Sequence, residues 1–224
     1  MMWENSWFSA MTASGIATII GIALTFGINS CLENRKIMHE MQKSMLQAVD
    51  NIDERFEDAQ KWVEIIENQN RVYRQADSIY TAGGELPDSL CQAFRYTMPY
   101  IKISAFDHEF EKIFRGSYQL WQLQNRSDSL SFYIGQCYDG LNMVESTCQS
   151  LSESMLEQIG AINAVKHFHR LSPREWTIAL ISDPGFQYYM AVRGVKAAIV
   201  ADILMQARED YDTNVVVRSN KLRN

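Results

Sequence analysis

An uncharged segment near the start of the chain, Trp7 to Ile28, is the feature that most limits how this sequence can fold. No charged residue lies between Glu4 and Glu33. At a rise of 1.5 Å per residue, a helix over this segment is about 33 Å long, which is close to the thickness of the hydrocarbon core of a bilayer. The segment therefore predicts a transmembrane helix that anchors a larger domain on a membrane.

Three other interpretations of this segment fit it less well. A buried core helix rarely needs so long a run that is apolar on every side. A cleaved signal peptide begins with Lys or Arg and has an apolar region of about 7–15 residues, whereas the residues before this segment include Glu4 and none that is basic. A lipoprotein signal is suggested by Ile28-Asn29-Ser30-Cys31, in which Asn29 fits poorly. We favour the uncleaved span, and the two cleaved forms stay open.

Small residues recur at every fourth position within the span. Ala17, Gly21 and Thr25 form one such series, which we call the small-residue face. Small residues at this spacing let two helices approach closely in lipid, although they are also common in spans that do not associate. The expected partners are therefore the lipid bilayer and either a second copy of the chain or another protein.

The composition of the chain favours a helical domain after the span. A length of 224 residues leaves enough chain for one domain with a real core. Four prolines and eleven glycines are few for a sandwich or barrel, and long stretches rich in Glu, Gln, Leu, Met and Ala favour helix. The net charge of −6 argues against nucleic acid as a partner. We expect an all-α fold, an antiparallel helical bundle built on two long helices over residues 33–211, with a flexible tail over 212–224.

The first long helix is predicted from Met38 to Tyr80, where the sequence has no Gly or Pro. Its apolar residues recur at alternating steps of three and four, which is a heptad pattern. They are Met38, Met45, Val49, Ile52, Phe56, Ala59, Val63, Ile66 and Tyr73, with polar Gln42 and Asn70 in the same series. Two interpretations fit: a parallel coiled-coil dimer whose register is fixed by Asn70, or a long helix packed inside its own bundle. We favour the second, because the chain offers a partner helix.

The outer surface of this helix carries opposite charges at helical spacing. Glu57 precedes Lys61 by four residues, and Glu67 precedes Arg71 by the same interval. Such pairs stabilise a helix by about 0.2–0.5 kcal/mol each. The sequence therefore predicts two surface ion pairs.

Breaks and caps divide the rest of the chain. Ala82-Gly83-Gly84 ends the first helix, Pro87 opens a short helix that Pro99 ends, and a further helix is expected over 105–124. Ser127-Asp128 starts the second long helix, which we expect to pack antiparallel to the first. Its heptad positions are Leu130, Ile134, Cys137, Leu141, Val144, Cys148, Leu151, Met155, Ile162 and Val165.

Two more helix starts are predicted near the end of the chain. Ser172-Pro173-Arg174-Glu175 has the pattern of a capping box with Pro at the first helical position. Asp183-Pro184 repeats the arrangement of a cap followed by Pro, and opens a last helix over about 185–210.

The sequence contains no complete catalytic, cofactor or metal motif. His39-Glu40 and His108-Glu109 begin an HExxH pattern, but Lys43 and Lys112 occupy the position of the second histidine. We therefore predict no catalytic residue, no cofactor and no metal. Asp107 and Glu111 share one helical face beside His108, and we expect a solvated helix surface there. The competing hypothesis is an enzyme that uses this acidic cluster.

The four cysteines, Cys31, Cys91, Cys137 and Cys148, show neither CxxC nor zinc spacing. We expect them to be small core residues. A disulfide stays possible if the domain lies outside the cytoplasm, where oxidising conditions allow one.

The exit from the span, IGIALTFGINSCLENRK, resembles the signature of an uncharacterised bacterial family of single-span membrane proteins. The matching positions are Ile20-Gly21-Ile22, Ala23-Leu24, Ile28-Asn29 and Glu33-Asn34-Arg35-Lys36. Further on, the family's central motif is similar to Phe110-Glu111-Lys112-Ile113, Ser117-Tyr118-Gln119-Leu120-Trp121, Leu130 and Tyr138. The resemblance implies a membrane-anchored helical domain whose transmembrane helix continues into a long amphipathic one. This chain departs from the family in having no basic residue before the span.

Two observations point to opposite orientations in the membrane. No Lys or Arg precedes the span, whereas Arg35, Lys36 and Lys43 follow it, and by the positive-inside rule the large domain is then cytoplasmic. The family resemblance implies a domain outside the cytoplasm. We favour the charges, and predict a single-pass protein of the inner (plasma) membrane that acts as an interaction, scaffold or sensor module.

Overall fold

The computed structural model describes residues 4–99, 103–123 and 129–223, with the backbone alone for residues 4–32, 120, 121 and 123. Over these residues the chain is helical and contains no strand, which confirms the all-α class. The helices are α1 (Glu4–Thr81), α2 (Asp88–Thr97), α3 (Glu109–Leu123), α4 (Ser129–Lys166), α5 (Pro173–Ile181), α6 (Pro184–Asp210) and α7 (Val217–Arg223). A 3-10 helix, Phe168–Arg170, precedes α5, and a π-helix, Tyr211–Val216, joins α6 to α7.

Helix α1 is a continuous helix of 78 residues, about 117 Å long at the usual rise per residue. It ends at the predicted break. Gly83 has a φ of +70°, and the amide of Gly84 donates to the carbonyl oxygen of Ile79 at 2.9 Å. This is the Schellman arrangement that glycine permits, because a residue with a side chain would be strained at that φ.

The membrane span itself stays a prediction. Among the residues that the structure describes, no helix has the length and hydropathy needed to cross a bilayer. The backbone of residues 7–28 belongs to α1. Their side chains lie outside the described part, and so do those of the small-residue face (Ala17, Gly21, Thr25) and of Cys31.

The heptad positions of both long helices form the core. All the predicted apolar positions are buried except the first and the last, since Met38 is 40% and Val165 73% exposed. Buried Asn70 accepts a hydrogen bond from Arg193 on α6. The first long helix therefore packs inside its own bundle, as the favoured interpretation predicted.

The two long helices pack parallel, so the prediction of an antiparallel pair is wrong. Ser131 of α4 contacts Met45 of α1 (Oγ to Sδ, 3.4 Å), and Asn142 lies 3.3 Å from Arg55 further along both helices. The residue numbers rise together on the two helices. The reason is the connection: Thr97 at the end of α2 contacts Gln69 of α1, and Glu111 of α3 contacts Arg55, so the chain returns along α1 before α4 begins.

Helix α6 supplies the antiparallel partner for α1. Arg208 pairs with Asp53 at 3.2 Å, while Arg193 earlier on α6 contacts Asn70 later on α1. Helix α6 also packs against α4, and α3 packs against α1. The bundle therefore mixes parallel and antiparallel neighbours around α1.

The last residues differ from the predicted flexible tail. The π-helix and α7 carry helical structure through Arg223. Tyr211 and Val215 are fully buried, the Tyr211 hydroxyl donates to the carbonyl oxygen of Val49 at 3.0 Å, and Arg223 pairs with Asp50 at 2.5 Å. Local polarity suggested fraying, but contacts with distant α1 hold this segment.

The local start signals are confirmed. The Ser172 hydroxyl accepts from the amide of Glu175 at 3.3 Å, and the Glu175 carboxylate accepts from the amide of Ser172 at 2.8 Å. Asp183 accepts from the amide of Phe186 at 2.8 Å and caps α6. The predicted start of the second long helix at residues 127–128 lies outside the described residues.

Candidate functional site

Glu111 on α3 is the centre of a buried polar cluster, so the expectation of a solvated surface is wrong for this residue. Its side chain is 8% exposed. Its carboxylate accepts from Arg55 (Nη1), Arg115 (Nε) and Asn142 (Nδ2), each at 2.9 Å. Asp107, by contrast, is exposed and accepts from the amide of Glu109 at the start of α3. The two predicted acidic residues therefore have separate roles.

His108 connects this carboxylate to a second one. Its Nδ1 lies 3.1 Å from Glu111 Oε2, and its Nε2 lies 3.2 Å from Glu145 Oε2. The other oxygen of Glu145 accepts from the amide of Phe106 at 2.7 Å. The cluster thus joins α1, α3 and α4 with the segment that leads into α3.

The hydrogen bonds in the cluster hold the pKa of Glu111 below its usual range. Burial acts to raise the pKa of Glu111, but hydrogen bonds from His108, Arg115, Asn142 and Arg55 outweigh it and lower the pKa to about 2. A general acid or base works best with a pKa near the working pH. The geometry of Glu111 therefore favours a structural role over proton transfer.

Arg55 is the residue of this cluster that the sequence analysis missed. Its guanidinium carbon lies 5.0 Å from the centre of the Phe106 ring and 4.9 Å from that of Tyr138. A local signal existed, because Arg55 lies seven residues from both Ala48 and Trp62, on an apolar stripe beside the heptad series of α1. A charged residue at a core position needs a partner, and here Glu111 provides it.

A second buried cation, Arg193 on α6, was also missed. It is fully buried. Its Nη1 donates to Asn70 Oδ1 at 2.6 Å and its Nη2 donates to Gln69. Gln69 in turn donates to the carbonyl oxygen of Thr97 at 2.9 Å. Within the described ranges no carboxylate pairs with Arg193, and burial lowers its pKa. This polar layer joins α1, α2 and α6.

The other sequence candidates do not form a site. No group of three metal-ligating side chains occurs within the part of the chain that the structure describes. Cys91, Cys137 and Cys148 are buried free thiols, as predicted for core residues, and burial raises the pKa of Cys137 and of Cys148 to about 12.

An open groove of about 900 Å³ runs between α1 and α6; we call it the α1–α6 groove. Its apolar part consists of buried and half-buried side chains together with Met205, which is 64% exposed. These apolar residues are Phe56, Val63, Ala201, Leu204 and Met205. Six carboxylates line it as well: Asp53, Glu57, Glu64, Glu67, Glu209 and Asp212. The groove therefore combines an apolar floor with an acidic rim.

The two predicted surface ion pairs, Glu57–Lys61 and Glu67–Arg71, are wrong, and this leaves both carboxylates on the acidic rim. Lys61 pairs with Asp58 at 3.0 Å instead of with Glu57. Arg71 donates to Asn68 at 2.7 Å instead of to Glu67. The carboxylates of Glu57 and Glu67 are thus left to face the groove and solvent.

The structure is an all-α bundle built on one long helix, with an acidic groove along that helix. No family model, no curated protein and no solved structure matches this chain. The resemblance of residues 20–36 to a family of single-span membrane proteins stays a prediction.

Proposed function

We propose that this protein is a single-pass membrane protein that binds another polypeptide through the α1–α6 groove. The observation that carries the proposal is the placement of that groove. It lies along α1, the same unbroken helix that contains the uncharged segment Trp7 to Ile28. One helix would therefore serve as both membrane anchor and binding surface.

A continuous helix between the two parts favours a scaffold or sensor role. The groove begins at Asp53, which follows Ile28 by 25 residues on α1. This separation corresponds to about 37 Å along a helix. A partner in the groove would be held at a set distance from the bilayer. A movement of α1 would shift the groove and the membrane segment together.

The proposed location is the inner (plasma) membrane with the bundle in the cytoplasm. Arg35, Lys36 and Lys43 follow the uncharged segment, and no basic residue precedes it. This charge distribution supports retention of the bundle on the cytoplasmic side. Association through the small-residue face would add a second copy of the chain as a partner within the bilayer.

Photo-crosslinking in intact cells tests the binding role. A photoreactive amino acid placed at Met205, which is 64% exposed and lines the groove, should form an adduct with another polypeptide. The same amino acid at Leu156, 47% exposed on α4, is the matched control and should form none. Equal adducts at both positions, or none at Met205, would contradict the proposal.

A further inference from the structure

We infer that the α1–α6 groove accommodates a basic amphipathic helix of about four turns, supplied by a partner protein. This inference rests on the proposed function, because it specifies the chemistry of the occupant in the same groove. It follows from the charge, the spacing and the apolar floor of the groove.

The charge of the groove selects a basic partner. Six carboxylates and one cation, Arg208, line it within the described residues. Arg208 is already bound to Asp53 and Asp212, at 3.2 and 3.3 Å. The remaining four carboxylates form no ion pair within that part of the chain, since Lys61 pairs with Asp58, and Glu64 accepts a hydrogen bond from Gln60 at 3.1 Å. Complementary charge on a partner would steer it to the groove and fix its orientation.

The spacing of the acidic residues sets the length of the partner. Asp53, Glu57, Glu64 and Glu67 form a stripe on one face of α1. The stripe spans 15 residues, from Asp53 to Glu67, or about 21 Å and four helical turns. Beyond Glu67 the neighbouring groove is also lined by Arg71 and Arg74, so the acidic stretch of α1 ends there. A basic helix of about 15 residues matches the length of the acidic stretch.

The apolar floor selects an amphipathic partner. Val63 is buried between the acidic stripe and α6, and Met205 projects from the other side, 64% exposed. An apolar helix face can cover this floor while Lys or Arg side chains reach the rim, which is the usual way a groove binds a helix. A nucleic acid would place phosphates against the carboxylates and is disfavoured.

Binding of a designed peptide to the full chain tests this inference. The chain is placed in nanodiscs of neutral phosphatidylcholine, and a fluorescent helical peptide of Leu and Lys, with Leu on one face, is titrated in. Fluorescence anisotropy should show saturable binding that weakens as salt is raised, because the contacts are charged. Empty nanodiscs, a peptide with Glu in place of Lys, and a peptide with shuffled Leu positions should not bind comparably.

Charge reversal locates the binding. The double variant Glu57→Lys and Glu64→Lys should lower the affinity for the peptide by about tenfold or more, since it replaces attraction with repulsion at the rim. The control is Glu153→Lys and Glu157→Lys, two exposed positions on α4 with the same change in charge, and it should alter binding less than about twofold. Equal weakening by both variants, or no binding by the unaltered chain, would overturn the inference.

The remaining outcomes separate this inference from the proposed function. If Met205 crosslinks to another polypeptide but the basic peptide does not bind, the binding role stands and the inference of a basic helix as the occupant is wrong. If the groove variant changes the number of protein copies per nanodisc, a second copy of this chain occupies the groove, and the inference is overturned.

Discussion

Replacing Glu111 by leucine should lower the free energy of unfolding by about 3–5 kcal/mol, the usual effect of removing one partner from a buried ion pair. The physical reason is Arg55, whose side chain is only 2% exposed and would keep its charge without a carboxylate. Glu109→Leu is the matched control, because Glu109 is exposed on the same helix, and it should change stability by less than about 0.5 kcal/mol. Urea denaturation followed by circular dichroism measures both.

The effect of Glu111→Leu should disappear in acid. The folded-state pKa of Glu111 is about 2, below the value of about 4.3 expected in the unfolded chain. The carboxylate therefore stabilises the fold fully above roughly pH 5, and this contribution is lost as the pH falls towards 2. The difference in stability between the unaltered chain and the variant should shrink over that interval. A difference independent of pH would show that the ionised carboxylate is not its source.

Leu141→Asp should be the other severe substitution. Leu141 is fully buried in the core formed by α1 and α4, so the aspartate would be an unpaired charge in an apolar site. The expected loss is on the order of 3–5 kcal/mol, or failure to fold.

Leu156→Asp provides the matched control for that substitution, on the same helix. Leu156 is 47% exposed, and its replacement should cost less than about 1 kcal/mol. Similar losses of stability for the two variants would mean that Leu141 is not on the face of α4 that packs against the core.

Periodicity and local caps made most of the helices predictable. The steps of three and four residues identify the buried face of α1 and α4, because only one face of a helix can meet the core. Gly83, Ser172 and Asp183 fixed helix ends because each acts on backbone groups a few residues away. Both the periodicity and the caps depend only on short stretches of sequence.

Helix direction and the buried polar clusters were not predictable in the same way. The parallel packing of α1 and α4 depends on how α2 and α3 return the chain, and heptad spacing is the same for either direction. Arg55 and Glu111 are 56 positions apart in the sequence, so the residues near either one do not identify its partner. What the sequence did offer was a charged residue at a helical spacing shared with apolar ones: Arg55 with Ala48 and Trp62, and Arg193 with Met190 and Ala197.

The groove was predictable only in part. The carboxylates of α1 are visible in the sequence, but surface ion pairs were expected to neutralise two of them. Such pairs are weak, and Lys61 and Arg71 each have an equally near alternative partner on the preceding turn, which the structure selects. The floor combines Phe56 and Val63 of α1 with Ala201, Leu204 and Met205 of α6, and the position of α6 opposite α1 is a tertiary feature.

Alkaline carbonate extraction of membranes is the most direct test of the central claim that this protein is a membrane-anchored binding module. The full-length chain should stay in the membrane pellet, because the uncharged segment Trp7 to Ile28 would lie in the bilayer. A chain that starts at Glu33 and keeps the whole described bundle should be found in the supernatant. Release of the full-length chain by the carbonate wash would contradict the account, since the groove would then have no fixed place at a membrane.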